Sequence, residues 1–214
     1  MSWNATLFML LNAPEQPSSL LWLAVNVAAI GPVILAPTLL ACLWIFGTSY
    51  RRPALIATAS GVFIGQGVNW LLGLAWYEPR PFMAGIGHTW MSHVSDNGFP
   101  SDHATLGWSL GLGLVLTGAS RGWGIAACFA AAVAGWSRIY LGVHFPLDVL
   151  TSVPAGLVAA LAARLLLPIA ALITPPLDRF YEAAFACLPA WPGKPHRPVQ
   201  LPSQPHPQRH DAAQ

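Results

Sequence analysis

Long apolar stretches separated by short polar segments dominate the chain, a pattern typical of a protein that crosses a membrane several times. A helix needs about 20 apolar residues to cross roughly 30 Å of hydrocarbon. Spans are predicted near Ser19–Phe46, Ala54–Ala75, Ala104–Thr117, Trp123–Tyr140 and Phe145–Ile173. A further short helix over Trp3–Leu11 would lie in the membrane interface, and the last span is expected to stop near Pro168. The pattern therefore predicts an all-α, polytopic transmembrane bundle of about five spans, or six if the N-terminal helix is counted.

The character of the chain changes after Pro175, where prolines recur among polar residues. Such a composition favours extended backbone without a packed core. We therefore predict two parts: a transmembrane domain over residues 1–175, and a Pro-rich, disordered cytoplasmic tail over residues 176–214.

Composition supports the membrane assignment and excludes one class of partner. Hydrophobic residues make up 55% of the 214 residues and charged residues only 8%, whereas a soluble domain has about 25% charged residues. The formal net charge is +2. A nucleic-acid-binding protein would need a dense basic stripe, so the expected partner is the bilayer and not a nucleic acid.

The distribution of basic residues predicts an orientation. Arg51 and Arg52, Arg121 and the basic residues of the tail all fall on one face of a five-span protein. The positive-inside rule assigns that face to the cytoplasm. The other face has only Arg80 and Arg138, and the assignment would invert if one further span preceded residue 76.

The most informative polar cluster runs from Ser137 to Asp148. The planar guanidinium of Arg138 suits bidentate binding of phosphate oxygens. His144 precedes a helix that starts at Pro146, and Asp148 lies one turn further on the same face. Asp148 could accept a hydrogen bond from the imidazole and leave its other nitrogen as a nucleophile or base. The alternative is packing at the membrane interface, with His144 among the headgroups and Arg138 snorkelling.

Two further clusters lie on the same predicted face. Ser101 and Asp102 open the third span, where a serine N-cap and free helix N–H groups form an anion site, and His103 is a candidate general acid. Arg80 stands between two prolines, which hold it in extended backbone. The alternatives are a simple helix cap and an ordinary arginine at the membrane edge.

Together the three clusters resemble the signature of the type 2 phosphatidic acid phosphatase superfamily. That signature reads Lys-x6-Arg-Pro, then Pro-Ser-Gly-His, then Ser-Arg-x5-His-x3-Asp. The match covers Gly73–Asp148, about a third of the chain, and its third motif is complete. The wording Pro-Arg-Pro-Phe and Phe-Pro-Ser-Asp-His-Ala is similar to the bacitracin-resistance subgroup, whose members are undecaprenyl diphosphate phosphatases.

The resemblance implies a helical bundle that needs no metal or other cofactor. It implies that His144 is the nucleophile that forms a phosphohistidine, that Asp148 orients it and that His103 protonates the leaving group. It also implies a binding set for the phosphate, in which Asp102 is counted with the neighbouring Ser101: Arg80, Ser101, Asp102 and Arg138.

Two positions depart from the family pattern. The motif lysine is replaced by Gly73, and we expect Asn69 or Gln66 to substitute for it in part. Asp102 stands where many members have glycine, and because its charge would repel a phosphate we expect it to face away or to cap the helix.

The resemblance thus predicts a phosphatase that converts a polyprenyl diphosphate (undecaprenyl diphosphate) to the monophosphate, on the outer side of a bacterial inner membrane. This reaction would support recycling of the cell-envelope lipid carrier and bacitracin tolerance. The alternatives are a phosphatase of phosphatidic acid or phosphatidylglycerophosphate, a non-catalytic protein that binds or transports lipid phosphates, and a structural membrane subunit. His88 and His93 could contact a second phosphate, or belong to a solvated loop.

Overall fold

The structure is a computed structural model that describes residues 2–184, and within this range it is all-helical, as predicted. Six α-helices follow one another, with a 3₁₀ turn at Ser49–Arg51 between the second and the third. They are α1 (Trp3–Leu11), α2 (Ser19–Phe46), α3 (Arg52–Ala75), α4 (Asp102–Leu116), α5 (Arg121–Tyr140) and α6 (Pro146–Ala184). The predicted short N-terminal helix is present as α1. The greater part of the predicted tail, from residue 185 onward, lies outside the described residues.

From α2 to α6 each helix runs in the opposite direction to the one before it, so the connections alternate between the two ends of the bundle. We call the end that holds residues 76–101 and 141–145 the site end. There the backbone N–H of Ser101 donates to the carbonyl of Asp148 at 3.0 Å, which ties the start of α4 to the start of α6. At the opposite end Arg52 forms an ion pair with Asp178 at 2.6 Å.

Helix α4 lies at the centre of the bundle and packs against α2, α3, α5 and α6. Glycines let its neighbours approach closely: a Cβ at Gly107 would stand 2.7 Å from the Cβ of Ala131, and one at Gly113 would stand 2.9 Å from Thr58. Small residues at helix contacts are typical of membrane bundles, where close packing replaces the hydrophobic driving force.

Three helical segments are long and apolar enough to cross a membrane: Ser19–Phe46, Ser49–Ala75 and Pro146–Ala184. Helices α4 and α5 are also predicted spans, but they are shorter or less apolar than these three. Helix α4 has only 15 residues, or about 22 Å, and α5 carries an arginine near each end. Their crossing of the membrane therefore stays a prediction, supported by their place between the longer helices.

Helix α6 does not stop near Pro168 as predicted, but continues through Pro168 and Pro175 to Ala184. The proposed domain boundary at residue 175 accordingly falls inside a helix. Tertiary contacts explain the extension, because Arg52 pairs with Asp178 and its guanidinium lies 5.2 Å from the ring of Tyr181. A proline inside a helix removes one hydrogen bond and crowds the carbonyl four residues earlier, and these contacts offset that cost.

The connection from α5 to α6 is set by Gly142. Its φ is +80°, and its N–H donates to Ile139 at 3.0 Å while the N–H of Val143 donates to Arg138 at 3.1 Å. This is a Schellman motif, in which a glycine in the left-handed region ends the helix. It turns the chain at once from the last turn of α5 toward His144.

Gly142→Ala is expected to lower the thermal unfolding midpoint in detergent. A left-handed conformation costs an L-residue about 1–2 kcal/mol, and a Cβ at this position would also overlap the carbonyl oxygen of His88. Gly118→Ala is the matched control, because Gly118 has a φ of +78° with nothing within 4 Å of its Cβ position. Equal losses in the two variants would contradict a specific role for the contact with His88.

Candidate active site

The three polar clusters of the sequence meet at the site end. Nη1 of Arg80 lies 3.0 Å from Nε2 of His144 and donates to the carbonyl of Val143 at 3.0 Å, which joins the first cluster to the third. Oγ of Ser152 donates to the carbonyl of Ser101 at 3.0 Å, which joins the second cluster to α6. Residues 64 positions apart in the sequence thus share one buried pocket.

His144 is buried, with 1% of its surface exposed, and its contacts define its tautomer. Nδ1 lies 2.9 Å from the carbonyl oxygen of Gly98 and 3.4 Å from Oδ2 of Asp148. Both oxygens accept, so Nδ1 carries the proton. Nε2 faces Arg80, which can only donate, and therefore holds the lone pair. The nucleophilic nitrogen of this imidazole is Nε2.

The charge state of His144 follows from its surroundings. Burial lowers the pKa of His144 well below its usual value, and the positive charges of Arg138 and Arg80 lower it further. The sign of both effects is the same, because burial and neighbouring cations disfavour the imidazolium. At neutral pH the ring is uncharged, and its Nε2 lone pair is free of a proton.

Asp148 closes the first turn of α6. Its Oδ2 accepts from the backbone N–H of Phe145 at 2.8 Å, which is the third-position half of a capping box. The expected contact with His144 is present but longer, at 3.4 Å. The carbonyl of Gly98 is the closer partner of the imidazole, so Asp148 contributes chiefly through the turn that carries His144.

All three guanidinium nitrogens of Arg80 make polar contacts within the protein. Its Nε donates to Oδ1 of Asp96 at 2.7 Å and its Nη2 donates to the carbonyl of Asn97 at 3.2 Å. Together with the contact to His144 these bonds occupy each nitrogen of the guanidinium, which is 4% exposed. The prolines on either side of Arg80 were predicted to stiffen it, and the ion pair with Asp96 adds a second restraint that the sequence did not indicate.

Arg138 is buried in a different way. It is 1% exposed, its Nε has no hydrogen-bond partner, and within residues 2–184 its side chain makes no ion pair. A buried charge without a partner costs several kcal/mol, so Arg138 is a candidate for binding an anion. Oγ of Ser101 is likewise buried without a partner.

The start of α4 differs in detail from the expectation. Ser101 occupies the N-cap position, but its side chain makes no capping hydrogen bond. Asp102 is exposed, and its Oδ1 accepts from Nδ2 of Asn69 at 2.9 Å, so its carboxylate points toward α3. His103 is half-buried in the first turn of α4.

The position of the missing motif lysine is occupied by a compact polar network. The carbonyl of Gly73 accepts from Nδ2 of Asn97 at 2.8 Å. Asn69 is 2% exposed and bonds to both Thr105 and Asp102, while Gln66 donates to the carbonyl of Asp102. Both amides that were expected to substitute for the lysine are thus engaged in contacts within the protein.

Two contacts at the site cannot be predicted from any motif in the sequence. The carbonyl of Gly98 accepts from His144, and a backbone carbonyl carries no residue identity that a motif could reveal. Oδ1 of Asn4, in α1, accepts from the backbone N–H of Leu147 at 3.0 Å. Asn4 is 7% exposed, and its contact supplies a partner for one of the free N–H groups at the start of α6.

Comparison with known proteins shows the family of the chain. Residues 53–170 match the family model described as PAP2 superfamily. The chain is 34% identical over 165 residues to "Putative undecaprenyl-diphosphatase YbjG" of Escherichia coli (strain K12), which covers 76% of this chain and 82% of that protein. It is 35% identical over 149 residues to "Undecaprenyl-diphosphatase BcrC" of Bacillus subtilis (strain 168), covering 68% of this chain and 74% of that protein.

A solved structure shows the same fold. The crystal structure of Aquifex aeolicus LpxE superposes with a TM-score of 0.63 at 22% identity, and the match covers 76% of this chain and 95% of that chain. This likeness confirms the predicted helical membrane bundle. The family match begins at residue 53, so α1 and its contact with α6 lie outside it.

Asn4→Leu is expected to loosen the start of α6, because the N–H of Leu147 would be buried without a partner, at a cost of about 1–3 kcal/mol. Hydrogen–deuterium exchange of a peptide covering residues 145–150 should accelerate in this variant. Asn4→Asp keeps an acceptor at a helix N-terminus and is the matched control, with exchange close to that of the parent. Unchanged exchange in Asn4→Leu would show that the contact does not hold this turn.

Proposed function

Because the chain belongs to the PAP2 superfamily, we propose that it is a membrane phosphatase that hydrolyses undecaprenyl diphosphate to the monophosphate through a phosphohistidine on His144. The observation that carries the proposal is the buried, unpaired guanidinium of Arg138 beside a neutral imidazole whose Nε2 holds a lone pair. The names of the two curated relatives support the choice of substrate.

Substrate binding begins with the terminal phosphate, which lies between Arg80 and Arg138. Nε of Arg138 and Oγ of Ser101, both buried without partners, gain phosphate oxygens as hydrogen-bond acceptors. Nη1 of Arg80 moves from Nε2 of His144 to a phosphate oxygen, which frees the lone pair for attack. Substrate binding thus removes the contact that covers the nucleophile in the free protein. The hydrophobic tail stays among the helices.

In the first chemical step Nε2 of His144 forms a bond to the terminal phosphorus as the bridging P–O bond breaks. The electrons of that bond stay on the bridging oxygen of the lipid monophosphate. His103 takes up a proton from solvent when the phosphate anion binds and donates it to that oxygen. Nδ1–H remains bonded to Gly98 and Asp148, which stabilise the positive charge that the ring acquires. The arginines hold the charge on the equatorial oxygens, the kind of electrostatic stabilisation that dominates phosphoryl transfer.

Water completes the reaction. It attacks the phosphorus of the phosphoimidazole and gives its proton to His103, which lost one in the first step. The N–P bond breaks, its electrons return to Nε2, and orthophosphate leaves. His144 is again neutral, and His103 loses its proton to solvent as orthophosphate leaves, which returns the site to its resting state.

We place the reaction on the outer side of a bacterial inner membrane. The support is the charge pattern, since Arg51 and Arg121 lie at the end of the bundle opposite the site and basic residues favour the cytoplasm. Hydrolysis there would return the lipid carrier of cell-envelope synthesis to use and would support bacitracin tolerance.

His144→Ala is expected to reduce release of orthophosphate from undecaprenyl diphosphate by more than about a hundredfold, because no other group supplies the nucleophile. His88→Ala, in an exposed loop, is the control and should retain activity. A His144 variant with more than about one part in a hundred of the parent activity would exclude His144 as the nucleophile.

The same assay tests the substrate. Purified protein should release phosphate faster from undecaprenyl diphosphate than from phosphatidic acid or phosphatidylglycerophosphate. Faster release from either of those lipids would replace the proposed substrate while keeping the chemistry. Binding of phosphate without any turnover would indicate a binding or transport protein instead.

Sidedness is tested by cysteine labelling in a background with Cys42, Cys128 and Cys187 replaced. A membrane-impermeant maleimide should label Ser95→Cys in intact spheroplasts, because residue 95 is exposed at the site end. Gly122→Cys, at the opposite end, is the control and should react only after permeabilisation. The reverse pattern would place the site in the cytoplasm.

A further inference from the structure

His93 lies directly beside the nucleophile although no motif includes it. Its ring centre is 6.4 Å from that of His144, and the planes meet at 73° in an edge contact. Its side chain is 20% exposed, so it lines the pocket at the surface. His88, the other histidine of this loop, is exposed, and its backbone is held by Asn12 of the segment after α1.

The contacts of His93 leave one ring nitrogen available to a ligand. Nδ1 lies 3.1 Å from the carbonyl of Val94, and since a carbonyl only accepts, Nδ1 carries a proton. Within residues 2–184 no hydrogen bond engages Nε2. Burial lowers the pKa of His93 below its usual value, so the free protein holds a neutral ring that gains a proton when an anion binds.

The segment that carries His93 is fixed against the rest of the site. Asp96, three residues on, forms the ion pair with Arg80 at 2.7 Å. Asn97 donates to the carbonyls of Gly73 and Trp76, both at 2.8 Å, and accepts from the N–H of Glu78 at 3.0 Å. The placement of His93 over the pocket therefore follows from a network and not from a free loop.

The charges of the pocket are too few for a diphosphate unless a further group takes part. A terminal phosphate carries about −1.5 to −2 at neutral pH, and a second phosphate adds to this. Arg80 is already paired with Asp96, which leaves Arg138 as the unpaired cation of the pocket. One phosphate can be held by the two arginines, but a second needs another donor at the mouth of the site.

We propose that Nε2 of His93 binds the phosphate group that stays on the lipid, and that His93 thereby determines the preference for a diphosphate over a monophosphate. The proposal rests on the function proposed above and adds the group that recognises the second phosphate. The ring centres of His93 and His144 are 6.4 Å apart, so His93 lies next to the imidazole that attacks the terminal phosphorus. The group next to the attacked phosphorus is therefore the one that meets it.

The test compares two probes by calorimetry on the purified full chain. Methylenediphosphonate carries two phosphate-like groups joined by a bond that is not hydrolysed, and orthophosphate carries one. His93→Ala should weaken methylenediphosphonate binding about ten- to hundredfold, the range for a lost hydrogen bond to a charged group. Its affinity for orthophosphate should change less than about threefold, which also shows that the variant is folded.

His88→Ala is the matched control from the same loop and should change neither affinity. Turnover of undecaprenyl diphosphate should fall in parallel with methylenediphosphonate affinity in His93→Ala, and His93→Gln, which keeps an N–H donor, should restore part of it. Equal losses for both probes would assign His93 to positioning of His144, and unchanged binding of both would remove it from the site. Either result overturns the proposal.

Because calorimetry does not depend on catalysis, failure of the proposed function is a separate outcome. If the parent protein binds both probes but releases no phosphate from undecaprenyl diphosphate, the proposed reaction is wrong. The affinities of the parent and of His93→Ala for methylenediphosphonate and orthophosphate would still show whether His93 determines the preference for two phosphate groups.

Discussion

The contact between Arg80 and Nε2 of His144 is the interaction on which the rest of the site depends. It joins two segments 64 residues apart in a buried pocket, where a guanidinium and an imidazole could not both be cations without strong repulsion. Burial, together with the charges of Arg138 and Arg80, keeps the imidazole neutral because it is the weaker base. In the proposed mechanism the same positive charges also favour a bound anion.

The place of His144 is fixed by the ends of two helices. Helix α5 ends in a Schellman motif at Gly142, and α6 begins with a capping box in which Asp148 bonds to Phe145. Asn4 adds a further contact from a helix that the family match does not include. Only five residues separate the two helices, so a small shift of either helix end would displace the imidazole of His144. Local backbone chemistry thus supplies the precision that phosphoryl transfer requires.

Loop 76–101 supplies the other wall of the pocket, and it is ordered by polar contacts because it has no helix or strand of its own. Asp96 and Asn97 bond to Arg80, Gly73 and Glu78, and Gly98 bonds to His144. Asp96 is exposed and Asn97 half-buried. Single hydrogen bonds at such positions contribute little, so several together are needed to order the loop. The network holds Arg80 in place and also positions His93 beside His144.

Much of this was determined by the sequence alone. Its apolar stretches specified helices, because a backbone in lipid must satisfy its own hydrogen bonds. The spacing of His144 and Asp148 indicated that their side chains lie close together, as they do at 3.4 Å. The length of α6 was not specified, because its continuation past Pro168 depends on Asp178 meeting Arg52 from a distant part of the chain. The partner of the imidazole was not specified either, since the carbonyl of Gly98 reaches it only through the fold.

Which of two loop histidines faces the nucleophile was likewise decided by tertiary structure. No sequence feature distinguishes His88 from His93. In the fold, Asn12 bonds to the backbone of His88 in the exposed part of the loop, whereas the ion pair of Asp96 with Arg80 holds the segment of His93 against the site. The sequence determined which chemical groups are present and on which end of the bundle they gather. Their distances, partners and charge states were decided by folding, because each depends on atoms that the chain brings together from far apart.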